Sequence, residues 1–143
     1  MSDLIANQLK SIQFEYEHIQ IDRVNQLVEH YAINATFKDP FQEVHGREAI
    51  THIFEKMFIQ LNNPSFKVIS VMHQGLEASL LWEFKFGFKR WDKSPQSLKG
   101  VSWLKFNEAG LITSHIDYWD PAEGIYEKLP LVGSLMRFLK KQA

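Results

Sequence analysis

The sequence predicts an α+β fold in which helices from the first part of the chain cover one face of an antiparallel sheet. Apolar residues recur mostly at helical spacing up to about residue 60, and at alternating positions from residue 66 onward. A run of helices followed by strands that short turns connect is typical of this class. Regularly alternating strands and helices would instead predict a parallel sheet.

The first helix is predicted over residues 4–18, because Ile5, Leu9, Ile12 and Tyr16 recur close to the helical period. A second helix follows a short break. Asp22 is expected to cap its N-terminus, and its apolar side is expected to carry Val24, Leu27, Val28 and Tyr31.

A short strand is predicted over residues 35–41, where Pro40 holds the preceding residue, Asp39, in an extended conformation. A third helix is expected to open at residues 46–50. Its inner face would carry Ile50, Phe54, Met57 and Phe58.

The remaining strands are predicted from alternation after a break at residues 62–64. The first runs from residue 66 to 72. After a turn at Gln74 and Gly75, the second continues to about residue 89, with large apolar side chains on one face: Leu80, Trp82, Phe84, Phe86 and Phe88. After a polar loop at residues 92–95, the third covers residues 98–106. A tight turn at residues 107–110 leads to the last strand, residues 113–120.

Composition limits the class of protein. The 143 residues suit a single domain, 1–143, and the net charge of −1 with interspersed acids and bases predicts no nucleic-acid partner. There is no cysteine, which excludes disulfides and thiolate metal sites and fits a cytoplasmic location. The first residues do not have the pattern of a signal peptide.

The last strand carries the most informative side chains. Successive residues of a strand point to opposite faces, so His115, Asp117 and Trp119 share one face. An imidazole, a carboxylate and an indole in a row fit a ligand pocket better than a plain core, because burying polar groups without partners is costly. A structural ion pair between His115 and Asp117 is the alternative reading.

Three stretches resemble the cone-shaped superfamily of nuclear transport factor 2, ketosteroid isomerase and SnoaL-like polyketide cyclases. They are residues 31–40, YAINATFKDP; residues 46–50, GREAI; and residues 106–112, FNEAGLI, with the strand that follows to Asp120. The resemblance covers about residues 5–120. It implies a strongly curved antiparallel sheet around a pocket, whereas the fold alone does not assign an activity.

The resemblance also implies roles for single residues. Asp39 falls on the aspartate that acts as the base in ketosteroid isomerase-like proteins. The protonated aspartate of their oxyanion hole would fall at Ser102, a weaker donor, and Tyr16 lies near the oxyanion tyrosine but out of register. A steroid isomerase is therefore not the expected activity.

The same resemblance turns His115, Asp117 and Trp119 toward the interior of the cone. SnoaL-like cyclases, which need no cofactor, are similar in placing a histidine and a late-strand aspartate in the pocket. Trp82 and Trp119 are the expected walls, and Ser102 and Tyr16 the possible hydrogen-bond donors.

Two main functions remain open from the sequence. One is a cofactor-free isomerase, cyclase or dehydratase acting on a small hydrophobic carbonyl or hydroxyl compound, with Asp39 as base, His115 as acid or second proton carrier and Asp117 as its orienter. The other is a non-catalytic module that binds a small hydrophobic ligand or a protein partner. The histidine spacing predicts no metal site.

Residues 121–143 are predicted to form a C-terminal helical extension, apolar with a basic end. A lid over the pocket or a subunit contact is preferred for it to a membrane-surface contact. A homodimer is expected through the outer face of the sheet, where Val101, Trp103 and Ile116 would be exposed.

Overall fold

The computed structural model describes residues 2–89 and 95–120, and in them helices pack on one face of a curved, unclosed six-stranded sheet. The helices are α1 (Ser2–Glu17), α2 (Val24–Val28), which a 3₁₀ turn at Ile21–Arg23 precedes, and α3 (Arg47–Gln60). The strands are β1 (Tyr31–Lys38), β2 (Glu43–His45), β3 (Leu61–Gln74), β4 (Glu77–Phe88), β5 (Gln96–Phe106) and β6 (Ile112–Trp119). This confirms the predicted α+β cone.

The order of the strands places the last one near the middle of the sheet. The order is β2-β1-β6-β5-β4-β3, and every pairing is antiparallel except that of β1 with β6, which is parallel. Strand β6 is therefore held on both sides. Its buried residue His115 lies 3.1 Å from the hydroxyl of Tyr16 on α1.

The predicted helical faces are the ones that form the core. Ile5, Leu9, Ile12 and Tyr16 of α1 are all buried. Helix α1 also contacts the turn between β5 and β6, where the side-chain amide of Gln8 donates a 3.0 Å hydrogen bond to the carbonyl oxygen of Gly110. These contacts hold the first helix against the turn that precedes β6.

The region after α1 differs from the prediction. Asp22 does not cap α2 with its side chain, because a 3₁₀ turn occupies that position. Tyr31 is the first residue of β1 and not part of the helix. Arg47 holds this junction: its Nε donates a 2.6 Å hydrogen bond to the carbonyl of Tyr31, and its Nη2 donates one of 3.2 Å to the carbonyl of Glu29.

The strands also begin earlier than the sequence indicated. Strand β3 starts at Leu61 and runs through the predicted break at residues 62–64, where the register shifts and Asn63 adopts a positive φ of 48°. A bulge allows a proline inside a strand. Alternation did not reveal the short strand β2, since it has only three residues.

The outer face of the sheet carries the side chains expected there. Trp103 is 37% exposed and pairs with Ile116 across β5 and β6, and Val101 is partly exposed. The homodimer that this face suggests stays a prediction. In the described ranges, no helix is long and apolar enough to cross a membrane. The predicted extension at residues 121–143 lies outside the described residues.

Candidate functional site

An apolar cavity of about 190 Å³ lies between α3 and the concave face of the sheet. Two carboxylates, Asp39 after β1 and Asp117 on β6, belong to its lining. Most of the rest is aromatic or aliphatic, including Phe37, Phe41, Ile53, Phe54, Met57, Phe66, Trp82, Phe84, Phe86, Phe88, Leu98 and Trp119. The other polar lining residues are Gln42, Lys56 and Gln60. Two acids and one lysine therefore share a mostly apolar environment.

Asp39 is held by the turn that follows it. Its Oδ1 accepts hydrogen bonds from the backbone N–H groups of Phe41 at 2.8 Å and Gln42 at 3.0 Å, and its Oδ2 accepts one from the side-chain amide of Gln42 at 3.0 Å. Strand β1 ends at Lys38, so Asp39 lies in a turn and not in the predicted strand over residues 35–41. An Asx turn fixes the carboxylate at the cavity wall.

The environment of Asp39 changes its acidity. Burial raises the pKa of Asp39 above its ordinary value, and the charge of Asp117 acts in the same direction. The hydrogen bonds from Gln42 and Phe41 lower the pKa without cancelling the effect of burial. A raised pKa brings a carboxylate closer to the range in which it exchanges protons near neutral pH.

Asp117 is held by side chains from other parts of the sequence. Its Oδ1 accepts a 2.5 Å hydrogen bond from the hydroxyl of Ser102 and lies 2.6 Å from Nε2 of His115. The hydroxyl of Ser102 in turn accepts a 2.9 Å hydrogen bond from the indole N–H of Trp82. The hydroxyl of Ser102 therefore connects the indole of Trp82 to the carboxylate of Asp117 through two hydrogen bonds.

His115 lies behind Asp117, away from the cavity, and is only 1% exposed. Its Nδ1 is 2.7 Å from the hydroxyl of Tyr31 and 3.1 Å from that of Tyr16, and the two hydroxyls are 2.6 Å apart. An ionised Asp117 can only accept, so Nε2 of His115 carries the hydrogen that it donates. In neutral His115, Nδ1 then accepts from a tyrosine.

Both tyrosines remain protonated donors. Burial raises the pKa of Tyr16 well above its ordinary value, and the neighbouring Tyr31 and Asp117 act in the same direction. Burial is also the main cause of the raised pKa of Tyr31. Tyr16, Tyr31, His115, Asp117, Ser102 and Trp82 form one buried chain of hydrogen bonds, called the deep network below.

Gly100 makes the position of Trp82 possible. The two residues are partners across β4 and β5, and the indole lies directly over the glycine. A Cβ atom at position 100 would lie 2.4 Å from the Trp82 ring, which is closer than atoms can approach. The absent side chain therefore lets the indole N–H reach Ser102.

The predicted site residues fall into two groups. Asp39, Asp117, Trp82 and Trp119 line the main cavity, and the first two supply its carboxylates. His115 does not line it. Tyr16 and Ser102 line instead a second, smaller chamber deeper in the cone, together with Asp117 and Trp82.

Two residues that matter for this geometry were missed from the sequence. Tyr31 fits the helical spacing of the residues before it, so its place beside His115 gave no separate signal. Gln42 could have been found, because an Asx turn at Asp39 brings the third residue back toward the carboxylate. Its Oε1 is buried, and no described residue donates a hydrogen bond to it.

The part of the chain that the structure describes contains no cluster of potential metal ligands. No group of three or more histidine, aspartate or glutamate side chains lies there in an arrangement that could hold a metal ion.

Comparison with known proteins finds one family and many similar structures. The SnoaL-like domain family matches residues 14–115, a stretch that includes Tyr16, Asp39, Trp82, Ser102 and His115. Asp117 and Trp119 lie just beyond the match. No curated protein matches the sequence.

The similar structures share the fold at low sequence identity. A protein of ketosteroid isomerase-like fold from Catenulispora acidiphila, in complex with trimethylamine, has a TM-score of 0.73 at 16% identity, covering 86% of this chain and 93% of its own. A candidate polyketide cyclase from Xanthomonas campestris has a TM-score of 0.75 at 13% identity, covering 87% and 96%. A nuclear transport factor 2-like protein of unknown function from Burkholderia pseudomallei has 0.75 at 12% identity, covering 86% and 95%.

Proposed function

Because the chain belongs to the SnoaL-like domain family, we propose that it is an enzyme that moves protons on a small, mostly apolar carbonyl or hydroxyl compound without a cofactor. The observation that carries this proposal is that Asp39 and Asp117 line one apolar cavity. Two carboxylates held by different partners in one cavity fit an acid and a base. Isomerase, cyclase and dehydratase chemistry can all use proton transfer by such a pair.

Asp39 is proposed as the base. Its turn holds the carboxylate in place, so little reorganisation is needed when a substrate binds. The raised pKa of Asp39 makes the carboxylate a stronger base than an exposed aspartate, and therefore better suited to take a proton from a carbon beside a carbonyl.

Asp117 and His115 are proposed as a second unit that holds or supplies a proton. The sequence suggested that His115 would meet the substrate and that Asp117 would orient it. The opposite order is favoured here, because Asp117 lines the cavity while His115 lies behind it. Asp117 would contact the substrate, and His115 would position Asp117.

A second candidate function is binding without catalysis. Aromatic rings dominate the cavity wall, and a small apolar ammonium ion is attracted both to aromatic faces and to carboxylates. The Catenulispora protein of similar fold was found with trimethylamine, a ligand of this kind. The main proposal and this one share the cavity and differ in whether Asp39 exchanges a proton with the ligand.

A deuterium-exchange assay tests the main proposal. The protein is incubated in D₂O with a panel of small cyclic ketones, and incorporation of deuterium beside the carbonyl is followed by NMR. Wild type should exchange at least one ketone, and Asp39→Asn should lower the rate by about 10²- to 10⁴-fold. The Oδ1 of asparagine can still accept the two backbone hydrogen bonds of the turn, so the turn is kept while the base is removed.

Glu43→Gln is the matched control, because it also removes a carboxylate, in this case an exposed one on β2. It should leave the exchange rate unchanged. Exchange that persists in Asp39→Asn would show that Asp39 is not the base. Binding of trimethylammonium or a ketone with no exchange of any panel member would favour the binding function.

A further inference from the structure

The smaller chamber beneath the main cavity, called the deep chamber here, has the size and the lining of a binding site. Its volume is about 20 Å³. Three of the residues around it bear oxygen groups: Tyr16, Ser102 and Asp117. The remaining lining residues are Phe54, Phe66, Val68, Leu80 and Trp82.

The deep chamber adjoins the main cavity. Four residues, Phe54, Phe66, Trp82 and Asp117, line both spaces. Asp117 is the only one of the four with a carboxylate. A molecule in the deep chamber would therefore lie next to Asp117, the residue that we propose contacts the substrate.

The size fits one water molecule. A cavity needs a volume of roughly 10–15 Å³ and two to four polar partners to hold one water molecule. The deep chamber has enough volume for one water, and its three oxygen groups supply the partners. A calcium or magnesium ion would need about six or more oxygen ligands, so three groups are too few for one.

The hydrogen bonds of the deep network favour a water that donates. Oδ1 of Asp117 already accepts from Ser102 and His115, whereas Oδ2 accepts no hydrogen bond from a described residue. If the hydroxyl of Tyr31 donates to Nδ1 of His115, the hydroxyl of Tyr16 can donate to Tyr31. The oxygen of Tyr16 is then free to accept.

We propose that the deep chamber binds one water molecule that donates hydrogen bonds to Tyr16 and to Asp117. This water closes a ring that runs from Asp117 through His115, Tyr31 and Tyr16 and back to Asp117. Each member of the ring then has a hydrogen-bond partner, and the donor and acceptor of every hydrogen bond are fixed. The role of the water rests on the proposed function: it positions the second oxygen of Asp117 for the substrate.

Two tyrosine variants provide a matched test. Tyr16→Phe and Tyr31→Phe each remove one buried hydroxyl next to His115, but of the two only Tyr16 lines the deep chamber. High-resolution crystal structures of the wild type and both variants locate the water, and ¹⁷O relaxation dispersion counts long-lived waters in solution. Neither readout uses activity, so this test can fail while the proposed function holds, and the reverse.

Wild type and Tyr31→Phe should both show a water about 2.7–3.2 Å from the carboxylate of Asp117, and Tyr16→Phe should lose it. In solution, Tyr16→Phe should have one long-lived water fewer than Tyr31→Phe. A wild type with no water in the deep chamber would overturn the proposal, as would a water that stays in Tyr16→Phe. If Tyr16→Phe does not fold, Val68→Ile, which adds bulk to the chamber wall, should displace the water, and its retention would count against the proposal.

Discussion

The two carboxylates of the cavity are held in contrasting ways. Asp39 takes its hydrogen bonds from residues two and three positions further along the chain. Asp117 takes its own from Ser102, fifteen positions away, and from His115, which in turn contacts Tyr31 and Tyr16, 84 and 99 positions from it. A turn supports the first acid, and the tertiary structure supports the second.

The contrast predicts different sensitivities. A local turn can form and reform without disturbing the core. Substitutions of Asp39 should therefore affect proton exchange with a substrate more than the free energy of unfolding. The deep network joins α1, β1, β4, β5 and β6 through buried polar groups, and each one that loses its partner costs about 1–3 kcal/mol. Changes there should affect stability first.

Removal of the imidazole should have the largest effect. His115→Ala leaves the hydroxyl of Tyr31 and the carboxylate of Asp117 without their partner and opens a cavity, so we expect it to lower the free energy of unfolding by about 3 kcal/mol or more. Asp39→Ala should cost about 1 kcal/mol. Urea unfolding measures both. Equal losses would mean that the two acids are supported alike.

The second largest loss of stability is expected from a methyl group added at Gly100. Gly100→Ala forces the Trp82 ring to move, and overpacking of this kind costs about 1–3 kcal/mol. The indole N–H signal of Trp82 in an NMR spectrum should shift as its hydrogen bond to Ser102 is lost. Lys99→Ala, an exposed change on the same strand, is the control and should alter neither the signal nor the stability.

Loss of the Ser102 hydroxyl should have a smaller effect. Ser102→Ala removes the acceptor of the Trp82 N–H and one donor to Asp117, and we expect a loss of about 1–2 kcal/mol. Ser102→Thr keeps the hydroxyl and should lose less of the hydrogen bonding. If urea unfolding finds the alanine variant as stable as wild type, Ser102 does not connect Trp82 with Asp117.

The smallest effect concerns pH. Burial raises the pKa of Asp39 in the folded protein, so its ionised form destabilises the fold at pH values above the folded pKa. This cost disappears as the pH falls through the folded pKa toward the unfolded value. Asp39→Asn should therefore be slightly more stable than wild type at neutral pH, and the difference should shrink toward about pH 4. A difference that grows on acidification would contradict the raised pKa.

The same contrast explains how much the sequence could predict. The helices and the alternating strand faces follow from local periodicity. The Asx turn of Asp39 involves only the next three residues, so it could also have been predicted from the sequence. The side-by-side placement of His115 and Asp117 followed from the two-residue repeat of a strand. All of these signals lie within a few residues of the feature that they predict.

What could not be predicted depends on distant segments meeting. Nothing near His115 indicates that Tyr31 will stand beside it, because that contact requires β1 and β6 to pair in parallel. Which of His115 and Asp117 faces the cavity depends on the curvature of the whole sheet. The role of Gly100 depends on an indole from the neighbouring strand.

The position of β6 also has a consequence for the order in which the cavity can form during synthesis. Strand β6 follows every other described strand in the sequence, yet it pairs with β1 on one side and β5 on the other. Until it emerges from the ribosome, β1 with β2 and the β3–β5 meander have no strand between them. Contacts that span most of the chain form slowly, since a long loop must close first. We therefore expect the cavity to gain its second carboxylate, Asp117, only when the last strand is inserted.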